Sequence, residues 1–229
     1  MRWVLMPGFD GTGILFKPLL ACLPAGVEPQ VISYSETRAQ SYEELLPSVL
    51  RALPKIEPFI IIAESFSGPL VLLIASQHKP SNLKAVILST TFATCPPAAH
   101  LLSPVKSFIF RFKLPEWVAR RFLFGNNAPA EFVALFHQSI NTVPAALMEG
   151  RLRALLALNP SPQLEHFSVP LLYLQGAQDR LVPKTAAQTI QKYVPEMKLR
   201  TIDAPHLLLQ LNPRQAVAAI TQFLLDARI

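Results

Sequence analysis

Polar and apolar positions change their period along this chain, and each change marks an element. Positions 3–6 form a short apolar run closed by Pro7 and Gly8, and positions 30–34 form a second short β-rich run. Both predict buried strands. From Ser41 to Leu53 the apolar residues Tyr42, Leu45, Leu46, Val49, Leu50 and Leu53 recur at i, i+3 and i+4, while Ser41 and Glu44 make a capping-box pattern. That combination predicts an amphipathic helix. Positions 59–63 are continuously apolar, positions 71–75 form an almost wholly apolar helix segment, and positions 85–88 supply another strand. After a long Pro-punctuated stretch the alternation resumes with a strand at 171–174. A helix from Pro183 follows, with Ala186, Ala187, Ile190 and Val194 on one face, and then a strand at 198–202. Asn212 and Pro213 open a last helix whose stripe is Ala216, Val217, Ile220, Phe223 and Leu224.

Strands alternating with helices, and no hairpin signals, predict an α/β fold on a parallel sheet. In such a sheet the ligand site lies at the carboxyl ends of the strands. Positions 91–167 break the alternation and predict a helical insertion over those ends. The core is then 1–90 joined to 168–229.

Composition narrows the class. A chain of 229 residues that is 51% hydrophobic and 16% charged can bury a core, and it excludes disorder and coiled coil. No apolar run reaches the roughly 18 residues that span a bilayer. The first eight positions are too short for a signal-peptide apolar region, so the expected location is cytoplasmic. Cys22 and Cys95 lie far apart and lack metal-ligand spacing, which predicts core thiols with neither a disulfide framework nor a metal site. The net charge of +6 is concentrated between positions 104 and 125, where Lys106, Arg111, Lys113, Arg120 and Arg121 face the single Glu116. Those residues are too sparse for a nucleic-acid stripe, and no nucleic-acid partner is expected.

Glycine placement points to the chemistry. Of eight glycines, Gly8, Gly11 and Gly13 follow the first strand and Gly68 follows the third. The third strand runs into Ala63-Glu64-Ser65-Phe66-Ser67-Gly68, with small residues two positions to either side of a serine. A sharp strand-to-helix turn of this kind lifts Ser65 above the sheet. A serine needs a base, and the base needs an acid to orient it. Asp179 follows the strand at 171–174, His206 follows the strand at 198–202, and the order Ser, Asp, His suits this architecture. Asp203, three residues before His206, is the competing acid. His78, His100, His137 and His166 lie away from strand carboxyl ends.

Four pieces together resemble the α/β-hydrolase superfamily: Pro7-Gly8-Phe9-Asp10-Gly11-Thr12-Gly13, the Ser65 turn, the Asp179 loop and His206. The resemblance spans essentially the whole chain, and the Pro-Gly-x-Asp-Gly-Thr-Gly form is similar to a branch of esterases and acyltransferases. It implies a minimal α/β-hydrolase fold of about six parallel strands with a helical cap, and a serine esterase needing no metal or organic cofactor. It also implies that the backbone N–H groups of Phe9 and Phe66 stabilise an oxyanion, the latter at the start of a helix. Pro7 stands where many members have His, and Pro205 where many have Gly. The expected reaction is ester hydrolysis through an acyl-enzyme on a small-molecule or acyl ester. Thioesterase, acyltransferase and carrier-linked acyl methyl ester esterase are the alternatives, and positions 152–158 loosely resemble the last of these. A non-catalytic binding module is the reading from another class. A dinucleotide site at Gly8, Gly11 and Gly13 with Glu36 has the wrong glycine spacing and leaves Ser65, Asp179 and His206 unexplained.

The insertion admits two accounts. Phe108, Phe110, Phe112, Phe122 and Phe124 share a stretch with the five basic residues. In one account Leu114, Trp117, Val118 and Phe122 pack on the sheet while Arg and Lys stems snorkel to water. In the other, Phe108 and Trp117 line an acyl slot over Ser65, and Arg120, Arg121 or their basic neighbours meet an acyl carrier protein or a membrane surface.

Overall fold

The computed structural model describes residues 1–34, 41–95, 114–158, 164 and 167–229. Its six strands are β1 (Arg2–Met6), β2 (Glu28–Val31), β3 (Phe59–Glu64), β4 (Leu83–Ser89), β5 (Leu171–Gly176) and β6 (Lys198–Ile202). They form one sheet, entirely parallel, in the order β2-β1-β3-β4-β5-β6. Every residue of β3 and β5 is buried, because helices cover both faces; this is why those strands read as unbroken apolar runs.

Side-chain alternation sorts the sheet into two cores. Val4, Met6, Phe59, Ile61, Ala63, Val86, Leu88, Leu171 and Tyr173 point to one face. Trp3, Leu5, Ile60, Ile62, Ala85, Ile87, Leu172 and Leu174 point to the other. Among the described residues the α-helices in chain order are α1 (Lys17–Leu20), α2 (Tyr42–Ala52), α3 (Gly68–Leu73), α4 (Glu116–Ala119), α5 (Ala130–Thr142), α6 (Ala145–Leu156), α7 (Thr185–Tyr193), α8 (Leu208–Leu211) and α9 (Pro213–Asp226). Residues of α2, α3 and α7 fill the first core, and residues of α1, α8 and α9 the second. The capping box of α2 forms as expected: Glu44 N–H donates to Ser41 Oγ at 3.3 Å, and Ser41 N–H to Glu44 Oε2 at 2.9 Å.

The second strand departs from its expected bounds. It pairs over Glu28–Val31, earlier than positions 30–34. At a sheet edge one side of the strand is solvated, so its residues need not be apolar. Arg2 ties the edge by reaching Glu28 at 3.0 Å and Glu57 at 2.9 Å. Ile32 and Tyr34 are apolar for a different reason: they follow the strand inward and are buried beneath the loop after β1, where Tyr34 N–H donates to Gly11 at 2.8 Å.

Between β4 and β5, in the segment expected to be an insertion, Ala119, Phe124, Phe132, Val133 and Phe136 join Leu15 and Leu207 in a third cluster, which packs α4 and α5 against the residues after β1 and after β6. The stripe that one account packs on the sheet is divided: Leu114 packs against this cluster and Val118 is half-buried, whereas Trp117 is 70% exposed and Phe122 37%. Residues Arg120–Phe124 form a π turn closed by Gly125 N–H to the Arg120 carbonyl at 2.9 Å. Phe124, at the end of that turn, is buried at 2% exposure. Cys22 and Cys95 are half-buried, at the margins of the second and first cores. Among the described residues no helix is long and apolar enough to cross a membrane.

Candidate active site

β3 ends at Glu64, and the chain then turns sharply into α3. Ser65 sits at the turn with φ 45°, a left-handed conformation that costs a non-glycine residue about 1–3 kcal/mol unless its surroundings enforce it. They do. The Thr91 hydroxyl donates to the Ser65 carbonyl, the Tyr42 hydroxyl to the Phe66 carbonyl at 2.9 Å, and the Ser67 hydroxyl to the Pro7 carbonyl, with Tyr34 OH on the Ser67 oxygen. Thr91 is itself gripped by Tyr173, whose O–H donates to the Thr91 carbonyl at 2.6 Å and accepts the Thr91 N–H at 3.1 Å. Burial raises the pKa of Tyr34, Tyr42 and Tyr173, which keeps all three as donors. Gly68 is required by proximity: a Cβ there would fall 2.6 Å from Thr91 Cγ2.

The three residues that strand order singles out meet above the sheet. His206 Nε2 lies 3.0 Å from Ser65 Oγ, and His206 Nδ1 lies 2.9 Å from Asp179 Oδ2. Ser65 is 8% exposed and His206 2%, so the pair is shielded from bulk water. The second oxygen of Asp179 accepts the N–H groups of Leu181 at 2.8 Å and Val182 at 3.0 Å, which fixes the carboxylate plane. The Asp179 and His206 loops are sewn together by Ala177 N–H to Ile202 O at 2.8 Å and Gln178 N–H to Ala204 O at 3.0 Å. Asp203, the competing acid, instead accepts from Gln178 Nε2 at 2.7 Å on the surface. Pro205 is accommodated within this arrangement.

Phe9 and Phe66 face one another, their rings edge to face with centroids 5.9 Å apart. The Gly8 carbonyl is turned back to accept the Gly11 N–H at 3.1 Å. Under this loop lies Glu64, fully buried and bonded by Gln210 Nε2 at 2.9 Å. Burial pushes its pKa up to about 7, with Asp10 adding to the rise and His206 and Gln210 opposing it.

The remaining expected residues are placed elsewhere. Arg120 bonds Glu116 Oε1 at 2.7 Å and the Asn126 carbonyl at 2.8 Å, and Arg121 lies over the Phe122 ring at 5.3 Å. Trp117 and Arg121 are exposed, whereas Arg120 is half-buried with its guanidinium 5.8 Å from the centre of the buried Phe124 ring. His137 pairs with Glu116 at 3.9 Å, and His78 ends the π turn after α3. Phe108, Phe110, Phe112, Lys106, Arg111, Lys113, Glu36, His100 and His166 lie outside the described residues. Among the described residues no cluster of His, Cys, Asp or Glu is arranged to hold a metal ion.

Sequence reasoning missed Thr91, Tyr42, Tyr34, Glu64 and Arg151. Arg151 did leave a signal. It interrupts the buried stripe of α6 formed by Leu147, Met148, Leu152 and Leu155, where a cation needs a partner.

A parallel sheet whose loops bring a strained serine, a histidine and an aspartate into one hydrogen-bonded row defines the α/β-hydrolase class of protein. The Alpha/beta hydrolase family matches residues 4–220, and the chain belongs to it. Solved structures with the same fold include the enol-lactonase from Burkholderia xenovorans LB400, 17% identical with a TM-score of 0.83, covering 97% of this chain and 90% of that one. MenH from S. aureus is 17% identical with a TM-score of 0.80, covering 100% and 95%. A thermophilic esterase from Thermogutta terrifontis is 20% identical with a TM-score of 0.78, covering 100% and 91%. No curated protein sequence matches the chain.

Proposed function

We propose that the protein hydrolyses carboxylic esters through an acyl-enzyme on Ser65. The observation that carries this reading is the unbroken row from Ser65 Oγ through His206 to Asp179, at 3.0 and 2.9 Å. His206 takes the Ser65 proton as Oγ attacks the acyl carbon, and passes that proton to the departing alkoxide. Asp179 holds the imidazole in the tautomer with the proton on Nδ1, and the Phe9 and Phe66 amides receive the negative charge that develops on the carbonyl oxygen. Water, deprotonated by His206, then attacks the ester carbon and releases the acid with Ser65 restored. The names of the structural neighbours, an enol-lactonase and an esterase, support ester chemistry. Arg120, Arg121 and the exposed Trp117 are proposed as a contact for an anionic acyl carrier or membrane surface.

The test is a rate panel of esters from short to long acyl chains beside matched thioesters, together with covalent labelling by a fluorophosphonate. Ser65→Ala is expected to lose on the order of 10⁶ in turnover and all labelling, and Asp179→Asn on the order of 10⁴ in turnover. Ser65→Ala activity within tenfold of wild type sinks the assignment. Faster turnover of thioesters than of matched esters moves the reading to a thioesterase.

A further inference from the structure

The insertion grips the loop after β1 with two separate helices. From α5, the Ser139 hydroxyl donates to Asp10 Oδ2 at 2.8 Å and lies 2.8 Å from Thr12 Oγ1. From α6, Arg151 Nη1 donates to the Phe9 carbonyl at 3.0 Å and the Asp10 carbonyl at 2.5 Å. Arg151 is only 2% exposed, and its Cζ lies 5.7 Å from the centre of the Tyr34 ring. Gly11, at φ 69°, is in such close contact that a Cβ there would fall 2.5 Å from Arg151 Cζ. Arg151 Nε is buried with no hydrogen-bond partner among the described residues. A cation taken this far from water at such cost, and spent largely on two backbone carbonyls of one loop, has a geometric consequence.

That consequence follows from peptide planarity. The N–H of the Gly8–Phe9 peptide points opposite to the Gly8 carbonyl, which is occupied by the Gly11 N–H at 3.1 Å. The next two carbonyls, of Phe9 and Asp10, are drawn onto the guanidinium. Three successive peptides are thereby fixed, and none can rotate a carbonyl toward the place where negative charge develops. Without the guanidinium two of those carbonyls lose their donor in a buried loop, and rotation is their route to new partners.

We propose that Arg151 is a positioning residue for ester cleavage: by clasping the Phe9 and Asp10 carbonyls from the insertion, it holds the Phe9 N–H toward the oxyanion of the Ser65 adduct. The proposal rests on the ester-hydrolase reading above, and it makes the insertion a working part of the site, beyond a cover.

The experiment measures kcat and KM on a soluble ester alongside the affinity of a trifluoromethyl ketone. That ketone adds Ser65 Oγ to its carbonyl carbon, gives the serine proton to His206 and leaves an oxyanion, so it reports the same donors without turnover. Arg151→Met is expected to lower kcat about 100-fold with KM within about threefold, and to weaken the ketone by the same factor as kcat. Both bonds come from the single nitrogen Nη1, so Arg151→Lys, which keeps a charged multiple donor but on a differently shaped stem, recovers about tenfold of both. A merely structural role would lower the melting temperature without moving ketone affinity and kcat together. A folded Arg151→Met with kcat within threefold of wild type overturns the proposal, as does one whose kcat falls while ketone affinity holds. Should Arg151→Met fail to fold, Arg151→Lys carries the test: a parallel loss of about tenfold supports the proposal, and wild-type values overturn it. Ser65→Ala separates the two readings. If it remains active both fail; if it is inactive beside an unimpaired Arg151→Met, the Arg151 proposal alone fails.

Discussion

Glu64 precedes the nucleophile by one residue and is 1% exposed. In the unfolded chain its carboxyl titrates near the ordinary 4.5; in the folded protein burial raises that to about 7. Between those values the native state holds a proton the unfolded state has released, so stability falls as pH rises through the window and levels off above it. The ladder of partners gives the same picture. Glu64 Oε1 and Gln210 Oε1 are both buried without a donor among the described residues, and a proton on Glu64 would supply one. Glu64→Gln removes the titration while keeping the shape. Urea unfolding of both proteins at pH 5 and pH 8 is expected to show the variant gaining on wild type by on the order of 3 kcal/mol between the two. An equal difference at both pH values would remove Glu64 as the source. None of this was visible in the sequence, where Glu64 is merely the residue before a serine. Ser65, Asp179 and His206 were legible because the reaction demands three residue types at three strand ends in a fixed order. The groups that hold Ser65 in place, Thr91, Tyr42 and Tyr173, act through backbone carbonyls, and many residue types at many spacings can do that.

At the scale of elements, the turn from β3 into α3 depends on how closely α3 approaches the end of β4. Thr91, just past β4, fills the space where a Gly68 side chain would stand, while donating to the Ser65 carbonyl. Thr91 cannot yield without releasing that carbonyl and the Tyr173 grip on its own backbone. Gly68→Ala is therefore expected to destabilise the protein by about 1–3 kcal/mol, measured from the urea midpoint, and to lower kcat in the same variant. An unchanged midpoint with full activity would show that Thr91 moves freely. The same close packing explains which elements could be read in advance. Central strands, buried on both faces, and helices with one apolar face announce themselves by period. The edge strand β2 does not, because Glu28, Pro29 and Gln30 need only pair on one side, and the apolar Ile32 and Tyr34 beyond it mimic a strand. Between β4 and β5, apolar spacing alone does not say which rings are buried: Phe124, at the end of the π turn Arg120–Phe124, is buried, while Trp117 and Phe122 are exposed.

Across the whole molecule, charge and chemistry occupy different parts of the insertion. Its inner side reaches the loop after β1 through Ser139 and Arg151, and supports the His206 loop through Leu207 N–H to the Leu123 carbonyl at 2.9 Å. Arg121 and Trp117, the latter 70% exposed, face solvent, and Arg120 is half-buried between Glu116 and the Phe124 ring; among the described residues none of the three side chains bonds Ser65 or His206 directly. Remote surface charges of this kind change encounter and binding, not the bond-making step. Reversing Arg120 and Arg121 to Glu is accordingly expected to raise KM severalfold for a substrate presented on an acidic acyl carrier or in anionic vesicles, with kcat unchanged. A small soluble ester should show wild-type kinetics. The Arg120–Glu116 pair is worth only about 0.3–0.5 kcal/mol, but Arg120 also donates to the Asn126 carbonyl and lies over the Phe124 ring, so the urea midpoint of the variant is measured beside its kinetics. Salt supplies an internal control, since the screening length shrinks from about 8 Å at physiological ionic strength to about 3 Å at 1 M, and the difference between wild type and variant should vanish with it. Which presented substrate loses affinity, carrier-bound or vesicle-embedded, identifies the partner. Equal kinetics on all three substrates would reduce the basic side of the insertion to a solvated surface.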